Sequence, residues 1–305
     1  MAYPYAAGTV SYSGTFIPEI WSGKLIEKFY DATVLTAISN TNYEGEIRNQ
    51  GDKVKIRTIP TLQINSYESG QTLVNQRPTS NIVELLIDKG KYWSAVVDDV
   101  QDVQSDIGLM NMWAQDASEQ MKINIDTDVL GNIVTDVDAK NKGNTAGRIS
   151  SSLVLGASGS PVQLTKTNVV DFIIDMGQAL DEQNIPETGR FLVLPFWASA
   201  LLKKSDLKDA SLTGDGTSPL RNGRLGMIDR FTLYQSNNLT KVTDGSVQAY
   251  DILAGHKNGL TFASQLTKTE SLRAESTFGN IMRGLQVYGY KVIDGTALVR
   301  GYVYK

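Results

Sequence analysis

KVKIRTIPTLQINSYESGQTLVNQRPTSNIVELLIDKGKYWSAVV is the sequence of residues 53–97, and it contains two runs that favour β-structure. In the first run, 53–59, β-branched residues alternate with charged ones, which is the period of two expected of a strand. The second run, 82–97, is rich in β-branched and aromatic residues. Between them lies the polar stretch 63–81, which contains a glycine and a proline suited to turns. The pattern predicts a long hairpin with a broad tip.

This predicted hairpin is too long to bury itself against its own subunit. About 15 to 20 residues on each side, at roughly 3.3 Å per residue, would reach about 50 Å. A loop of that length is usually either functional or disordered, and the β-forming pattern of this one argues against disorder. We therefore expect the chain to form oligomers through this loop.

The N-terminal stretch 1–18 contains no charged side chain. Proline, glycine and serine interrupt it, so it lacks the basic start and the unbroken apolar run of a secretory signal. Two interpretations remain open, a frayed terminus and a docking arm over 1–16 that covers a neighbouring surface. The docking arm would make contact through its aromatic side chains, Tyr3, Tyr5, Tyr12 and Phe16.

The composition excludes several classes of function. The chain has 305 residues, a net charge of −4, no cysteine and one histidine. A negative charge argues against tight binding of nucleic acid, because phosphate contacts need clustered Lys and Arg. Without cysteine there is no disulfide, thiolate metal site or cysteine nucleophile. The longest apolar run, 191–197, is far shorter than the roughly 20 residues that cross a bilayer.

Helical patterns flank the hairpin on both sides. Residues 17–39 have apolar side chains at intervals of three or four, which predicts a helix. A longer helix is predicted over 105–134, with Ser105 as its N-cap and an apolar stripe along one side. Its polar face is expected to carry Gln115, Glu119, Lys122 and Asp126.

The C-terminal half alternates between helical and extended patterns, after a boundary at the Gly- and Ser-rich stretch 136–161. Thr167 is predicted to cap a helix that ends before Pro186. The apolar run 191–194 predicts a buried strand, and Pro195 suits the first turn of another helix. Further strands are predicted at 231–234, 252–254, 260–262, 285–293 and 297–304, with Asp294-Gly295 as a hairpin turn between the last two.

No group of residues has the spacing that an enzyme or a cofactor site needs. His256 is the only histidine, which argues against a His-rich metal site and a Ser-His-Asp arrangement. The segment 214–226 contains glycine and two arginines but lacks the order of a phosphate-binding loop. We therefore predict no catalytic, cofactor-binding or metal-binding residues. The acids Asp126, Asp128, Asp136 and Asp138 lack the order of a calcium loop and are interpreted as a solvated helix end.

Four short motifs, in their order along the chain, resemble those of tailed-bacteriophage major capsid proteins with the Hong Kong 97-like fold. They are FIPEIW at 16–21, GDKVKI at 51–56, RFLVLP at 190–195 and GRLG at 223–226, which runs on through Phe231, Ser236 and Asn237. The resemblance covers nearly the whole chain. One departure is Arg230, because such proteins often have glycine before the aromatic residue, and the turn there is expected to differ.

The resemblance implies an α+β fold with an N-terminal arm (1–16), an extended loop (53–97), an axial domain (166–254) and a peripheral domain. The peripheral domain, which would include a long spine helix, would comprise 17–52, 98–165 and 255–305. The function implied is self-assembly of pentamers and hexamers into an icosahedral shell that encloses double-stranded DNA. Contacts between subunits would involve the aromatic arm, Glu68 and Arg77.

The resemblance also implies partners and a location. A separate scaffolding protein is expected, because the chain begins directly at the arm, and a portal is expected beside it. The subunit would be assembled in the host cytoplasm and reside in the virion, without a membrane, a cofactor or tight binding to DNA. Residues 58–88 contain no lysine, so we expect no isopeptide cross-link through the loop.

Two alternative functions are kept beside the capsid hypothesis. One is another virion structural protein such as a tail subunit, which would form tubes or fibres instead of closed shells. The other is a hydrolase or a carbohydrate-binding protein, which would show thermal shifts with ligands.

Overall fold

The computed structural model describes residues 33–42, 53–57, 60, 62–79, 82–99, 109–205, 226–275 and 278–305. It confirms a mixed α+β fold with several sheets and few helices. The helices are α1 (Leu35–Ile38), α2 (Leu109–Ile133), α3 (Val169–Glu182) and α4 (Phe196–Lys204). The strands are β1 (Lys53–Arg57), β2 (Ile82–Leu86), β3 (Lys89–Asp98), β4 (Val162–Gln163), β5 (Arg190–Leu194), β6 (Met227–Ile228), β7 (Phe231–Gln235), β8 (Lys241–Asp244), β9 (Val247–His256), β10 (Leu260–Arg273), β11 (Gly279–Val292) and β12 (Leu298–Tyr304).

Three sheets organise these strands. The largest has the order β4-β12-β9-β5-β7-β6, and β8 also pairs with β9. In it, β5 runs parallel to β7 and β12 runs parallel to β4, while β9 is antiparallel to both β5 and β12. The second sheet is antiparallel, with the order β10-β11-β3. The third is the two-stranded ladder of β1 and β2.

Both faces of β5 are buried, which explains the continuous apolar run that predicted this strand. Leu192 and Leu194 pack into a cluster with α3 and α4 on one face of the large sheet. Phe191 and Val193 pack into a second cluster on the other face, with side chains from α1, α2 and β11. Because side chains alternate along a strand, a strand between two packed layers is mostly apolar on both faces. The buried Arg190 at its start is paired with Asp181 at 2.7 Å.

The long predicted helix is present as α2, but Asp126 does not lie on its polar face. The side chain of Asp126 is 1% exposed. Its Oδ1 accepts hydrogen bonds from the backbone N–H groups of Val34 (3.1 Å) and Leu35 (2.9 Å), and its Oδ2 accepts one from the Asn238 amide (2.8 Å). The predicted exposure of Asp126 is wrong because the first N–H groups of a helix have no acceptor within that helix. At the start of α1, Asp126 is the acceptor.

The neighbouring acid Asp128 is not a solvated residue either. Its Oδ2 accepts a hydrogen bond from the Tyr288 hydroxyl at 2.8 Å and lies 3.8 Å from the Lys89 ammonium. Burial raises the pKa of Tyr288, and the hydrogen bond to Asp128 and its charge act in the same direction. The interpretation of these acids as a solvated helix end is therefore wrong for Asp126 and Asp128.

The Asp294-Gly295 pair does not form a hairpin turn between the last two strands. Asp294 caps a 3-10 turn over Gly295–Ala297, and its Oδ1 accepts from the N–H of Thr296 at 2.9 Å. The strands on either side then enter different sheets, since β11 pairs with β10 and β12 pairs with β9. Thr167 is not the cap of α3 either, because Asn168 precedes the first helical residue. The entry of β11 and β12 into different sheets depends on distant strand partners, which local turn chemistry does not reveal.

Candidate assembly surface

The predicted hairpin has a short ladder and a long exposed loop. Five residue pairs join β1 to β2, from Lys53 with Leu86 to Arg57 with Ile82. The second predicted run divides after β2, and β3 continues into the other sheet beside β11. The loop 62–79 has no strand, and each of its residues is exposed.

Side-chain amides give this loop its shape in place of a backbone ladder. The Gln76 side chain accepts a hydrogen bond from the Gln63 N–H at 3.0 Å and donates one to the Gln63 carbonyl at 2.7 Å. At the tip, the Gln71 N–H donates to the Glu68 carbonyl, and Gly70 takes a φ of +87°. Gly70 suits this turn because residues with a Cβ rarely adopt that backbone conformation.

The exposed side chains of the loop are mostly apolar or uncharged. Ile64 is 91% exposed and Val74 is 79% exposed. Leu62, Tyr67 and Leu73 are also exposed, to between 56% and 71%. Glu68 and Arg77 are the charged residues of 62–79, and neither forms an ion pair with a described residue. The other predicted contact residues, Tyr3, Tyr5, Tyr12 and Phe16, lie outside the described residues.

A second apolar surface, which the sequence did not reveal, lies on the three-stranded sheet. We call it the outer sheet face, and it consists of Tyr92, Val96, Leu272, Ile281 and Leu285. Tyr92 is 80% exposed and lies opposite Leu285, while Ile281 lies between Val96 and Leu272. An ionic group of Lys268, Glu270 and Arg283 crosses the middle of this face. Sequence reasoning missed the surface because it depends on which strands become neighbours.

The opposite face of this sheet packs on α2 and leaves a groove beside β3. The groove has a volume of about 220 Å³, and Tyr92, Trp93, Gln120, Met121 and Asn124 are among its lining residues. A wider cleft of about 460 Å³ lies on the large sheet beside Trp197 and Tyr250, whose rings meet edge to face at 5.5 Å.

Arg230, where the sequence departs from the glycine of similar proteins, lies in the turn between β6 and β7. Asp229 and Arg230 have φ values of +45° and +67°, so the two-residue loop between β6 and β7 has positive φ at both central positions. The Arg230 guanidinium contacts Asp181 Oδ2 at 3.1 Å and Glu187 Oε1 at 2.6 Å. These ion pairs give the arginine a role that a glycine in this turn lacks.

The described part of the chain shows no constellation for chemistry. Among the described residues, no group of three or more His, Asp or Glu side chains is placed to hold a metal ion. The His256 Nδ1 accepts a hydrogen bond from the Asn258 N–H at 3.2 Å and so caps a short turn. No helix in this part of the chain is long and apolar enough to span a membrane.

The described residues thus expose two apolar surfaces, the loop 62–79 and the outer sheet face. The chain belongs to the phage capsid protein family, whose model matches residues 84–301. It is a major capsid protein that forms the shell, as the sequence predicted. Among curated protein sequences, none matches the chain.

Solved structures similar to this chain include those of phages and the capsid of a GTA particle. A Mycobacterium phage Che8 structure is 25% identical, with a TM-score of 0.75 over 95% of this chain and 98% of that one. The capsid structure of the cyanophage P-SCSP1u is 13% identical, with a TM-score of 0.72 over 94% and 93%. The capsid of a native GTA particle is 13% identical, with a TM-score of 0.66 over 96% and 97%.

Proposed function

We propose that this subunit builds an icosahedral shell of pentamers and hexamers in which the loop 62–79 lies over a neighbouring subunit. The observation that carries the proposal is the exposure of five large apolar side chains on a mostly polar loop that is nonetheless ordered by its own hydrogen bonds. Monomeric proteins rarely expose contiguous apolar surface, and such surface usually marks an interface. Glu68 and Arg77 would form ion pairs across that interface.

The domain division of the Hong Kong 97-like fold can be assigned to the chain in the same proposal. The arm is 1–16, the extended loop is 53–97, and the axial domain is 166–254. The peripheral domain is 17–52, 98–165 and 255–305, with α2 as its spine helix. In this division α3 and α4 lie in the axial domain and α2 and β11 lie in the peripheral domain, while β5 and β12 contribute side chains to both apolar clusters and so join the two domains.

The shell has a structural and not an enzymatic role in this proposal. It encloses double-stranded DNA without binding it tightly, since the net charge of −4 supplies no basic surface. A scaffolding protein and a portal would take part in assembly in the host cytoplasm, before the subunit becomes part of the virion. Neither loop lysine chemistry nor a cofactor is needed, because many repeated weak contacts hold such a shell together.

Negative-stain electron microscopy of the purified protein, alone and co-expressed with the neighbouring phage genes, tests the proposal. Closed shells are expected, whereas tubes or fibres would favour the tail-subunit hypothesis. Sedimentation that shows only monomer across salt and protein concentration would overturn oligomerisation. Mature particles boiled in detergent should run as single chains, and a ladder would contradict the non-covalent shell.

A further inference from the structure

Strand β3 has one edge that no described strand covers. β11 pairs with one side of β3 along its whole length, and within the described ranges no strand pairs with the other side. Such an edge offers a row of backbone N–H and C=O groups, which proteins usually protect with charge, proline or short length. β3 is ten residues long, and 92–97 carries neither charge nor proline.

The groove beside α2 opens at this edge. Tyr92 and Trp93 are successive residues whose side chains point to opposite faces of the sheet, yet both line the groove. The mouth of the groove therefore lies at the backbone of β3. From α2, Met121 supplies an apolar wall, and Gln120 and Asn124 supply amides able to bond to an extended backbone.

The loop contains a segment that matches such an edge. Residues 62–67, LQINSY, carry no charge and belong to no ladder in the described structure. Leu62 and Ile64 alternate with polar Gln63 and Asn65, which is the period of a strand with one apolar face. The segment is therefore a strand sequence without a strand partner.

The loop of the same chain is directed away from its own β3. The loop is attached at the Ile82 end of β2, whereas β3 follows the Leu86 end after two residues. A Cβ added at Gly289 of β11 would meet the Leu86 carbonyl oxygen at 2.0 Å, so β2 leaves the ladder close to β11 and leads on into β3. A loop that covers the β3 edge would then come from a second copy of the chain.

We propose that residues 62–67 of one subunit add as an antiparallel fourth strand to the free edge of β3 in a neighbour. In the register that we infer, Glu68 lies opposite Lys91. This inference rests on the proposed shell function and deepens it by naming the surface that receives the loop.

The register pairs side chains that suit each other in size and charge. In this register Ile64 lies opposite Ala95, and the small Ser66 lies opposite the large Trp93. All four side chains would point to the face toward α2, because alternate residues of a strand share a face. On the outer sheet face, Tyr67 lies opposite Tyr92.

The charges at one end of the pairing also complement each other. Neither Glu68 nor Lys91 forms an ion pair with a described residue. A shift by one residue would place Ile64 on the other face and remove these matches.

Pairs of introduced cysteines test the register without interference from native cysteines, since the chain has none. The variant I64C/A95C should form disulfides between subunits when assembled particles are oxidised with oxidised glutathione. On a denaturing gel without reductant it should give a ladder of dimers and higher oligomers. The matched control N65C/A95C places its cysteines on opposite faces and should remain single chains.

Three results would overturn the inference while leaving the shell function intact, because particle formation is scored separately by microscopy. These are particles without a ladder, equal ladders from both variants, and a disulfide within one chain. A ladder from Y5C/A95C in place of I64C/A95C would assign the edge to the N-terminal arm instead. Absence of wild-type particles would be a failure of the proposed function.

Charge reversal supplies a second test that does not depend on cysteine. E68K and K91E should each raise the protein concentration needed for assembly about threefold, as expected for an exposed ion pair. The double variant E68K/K91E should return it to the wild-type value. A double variant no better than the worse single variant would contradict the pairing of these two residues.

Discussion

Strand β5 and the loop 62–79 use apolar residues in opposite ways. All five residues of β5 are buried, and its four apolar residues, 191–194, lie in two clusters on the two faces of one sheet. All residues of 62–79 are exposed, including Ile64, Leu73 and Val74. The difference shows that the apolar residues of β5 stabilise the subunit, whereas those of the loop remain available to other subunits.

We therefore expect stability and assembly to depend on different segments of the chain. Burying apolar surface contributes about 25 cal/mol per Å² only where water is removed, so the loop would gain that contribution only when a neighbouring subunit covers it, as we propose. Substitutions in the buried clusters should therefore lower the free energy of unfolding, and substitutions in the loop should lower assembly alone.

The largest effect on stability is expected for Phe231→Ala. Phe231 is 0% exposed and packs in the cluster of α3, α4 and β5. Truncating a buried phenylalanine costs about 3–5 kcal/mol, and urea denaturation followed by circular dichroism measures it. Met227→Ala, at an exposed position on the neighbouring strand, is the control and should cost little. A loss below about 1 kcal/mol for Phe231→Ala would contradict the placement of the core.

A smaller effect is expected for Asp126→Ala, which removes the acceptor shared by α1 and Asn238. Its loss removes the acceptor of the N–H groups of Val34 and Leu35 and one hydrogen bond of the Asn238 amide. Unsatisfied buried donors of this kind cost about 1–3 kcal/mol. Urea denaturation at constant pH measures the loss, and Asp126→Asn, which keeps one oxygen acceptor, should lose less.

The difference in the free energy of unfolding between wild type and Asp126→Asn should also depend on pH. Burial raises the pKa of the Asp126 carboxyl above 3.8, against the effect of its hydrogen bonds from Asn238, Val34 and Leu35. A raised folded-state pKa means that the folded chain holds the proton more tightly than the unfolded chain does. Wild type should therefore lose stability relative to Asp126→Asn as the pH rises through the raised pKa. The opposite slope would contradict the buried placement.

Glu182→Gln should have an effect of about 1 kcal/mol that depends on pH in the reverse sense. Burial opposes the charge of Glu182, but hydrogen bonds from Gln178, from the Ile149 N–H and from Ser150 outweigh it and lower the pKa from 4.5 to about 2. The stabilisation is present above pH 4.5 and is lost as the pH falls through about 2. Unfolding measured across this window should be less dependent on pH in Glu182→Gln, and an unchanged dependence would exclude the contact.

Elements that a local pattern determines could be predicted, whereas choices between distant partners could not. The period of two in 53–59, the run at 191–194 and the stripe of α2 each predicted an element that is found, although the first strand ends at Arg57. The burial of Asp126 could not be predicted, because its hydrogen-bond donors Val34 and Leu35 lie 92 and 91 residues earlier in the sequence. The outer sheet face was missed because Tyr92 and Leu285 become neighbours only through the pairing of β3 with β11.

The same distinction between local patterns and distant partners applies to the candidate assembly surface. Its loop could be predicted from length and composition, since 63–81 is too polar and too long to join the core. The edge of β3 that we propose as its receptor could not, because 82–97 was interpreted as one arm of the hairpin. The division of that run after Leu86 depends on β11, which lies almost 200 residues later in the sequence.

The smallest effect on stability is expected for deletion of residues 63–81, the loop beyond the β1–β2 ladder. The ladder ends at Arg57 with Ile82, and 58–62 would remain to connect the two strands. Because no residue of 62–79 is buried, the free energy of unfolding should change by about 0.5 kcal/mol or less. Assembly should be lost, because the apolar side chains that a neighbour would cover are removed.

Denaturation and sedimentation of the same preparation measure the two properties of this deletion variant together. A full-length control, Ile64→Ser combined with Val74→Ser, keeps the loop and its glutamine pairing while removing two of its most exposed apolar side chains. It should melt like the wild type and assemble poorly, which would assign the assembly defect to those side chains and not to loop length. Loss of cooperative melting in the deletion variant would place the loop in the core, and intact shells would show that assembly uses a different surface.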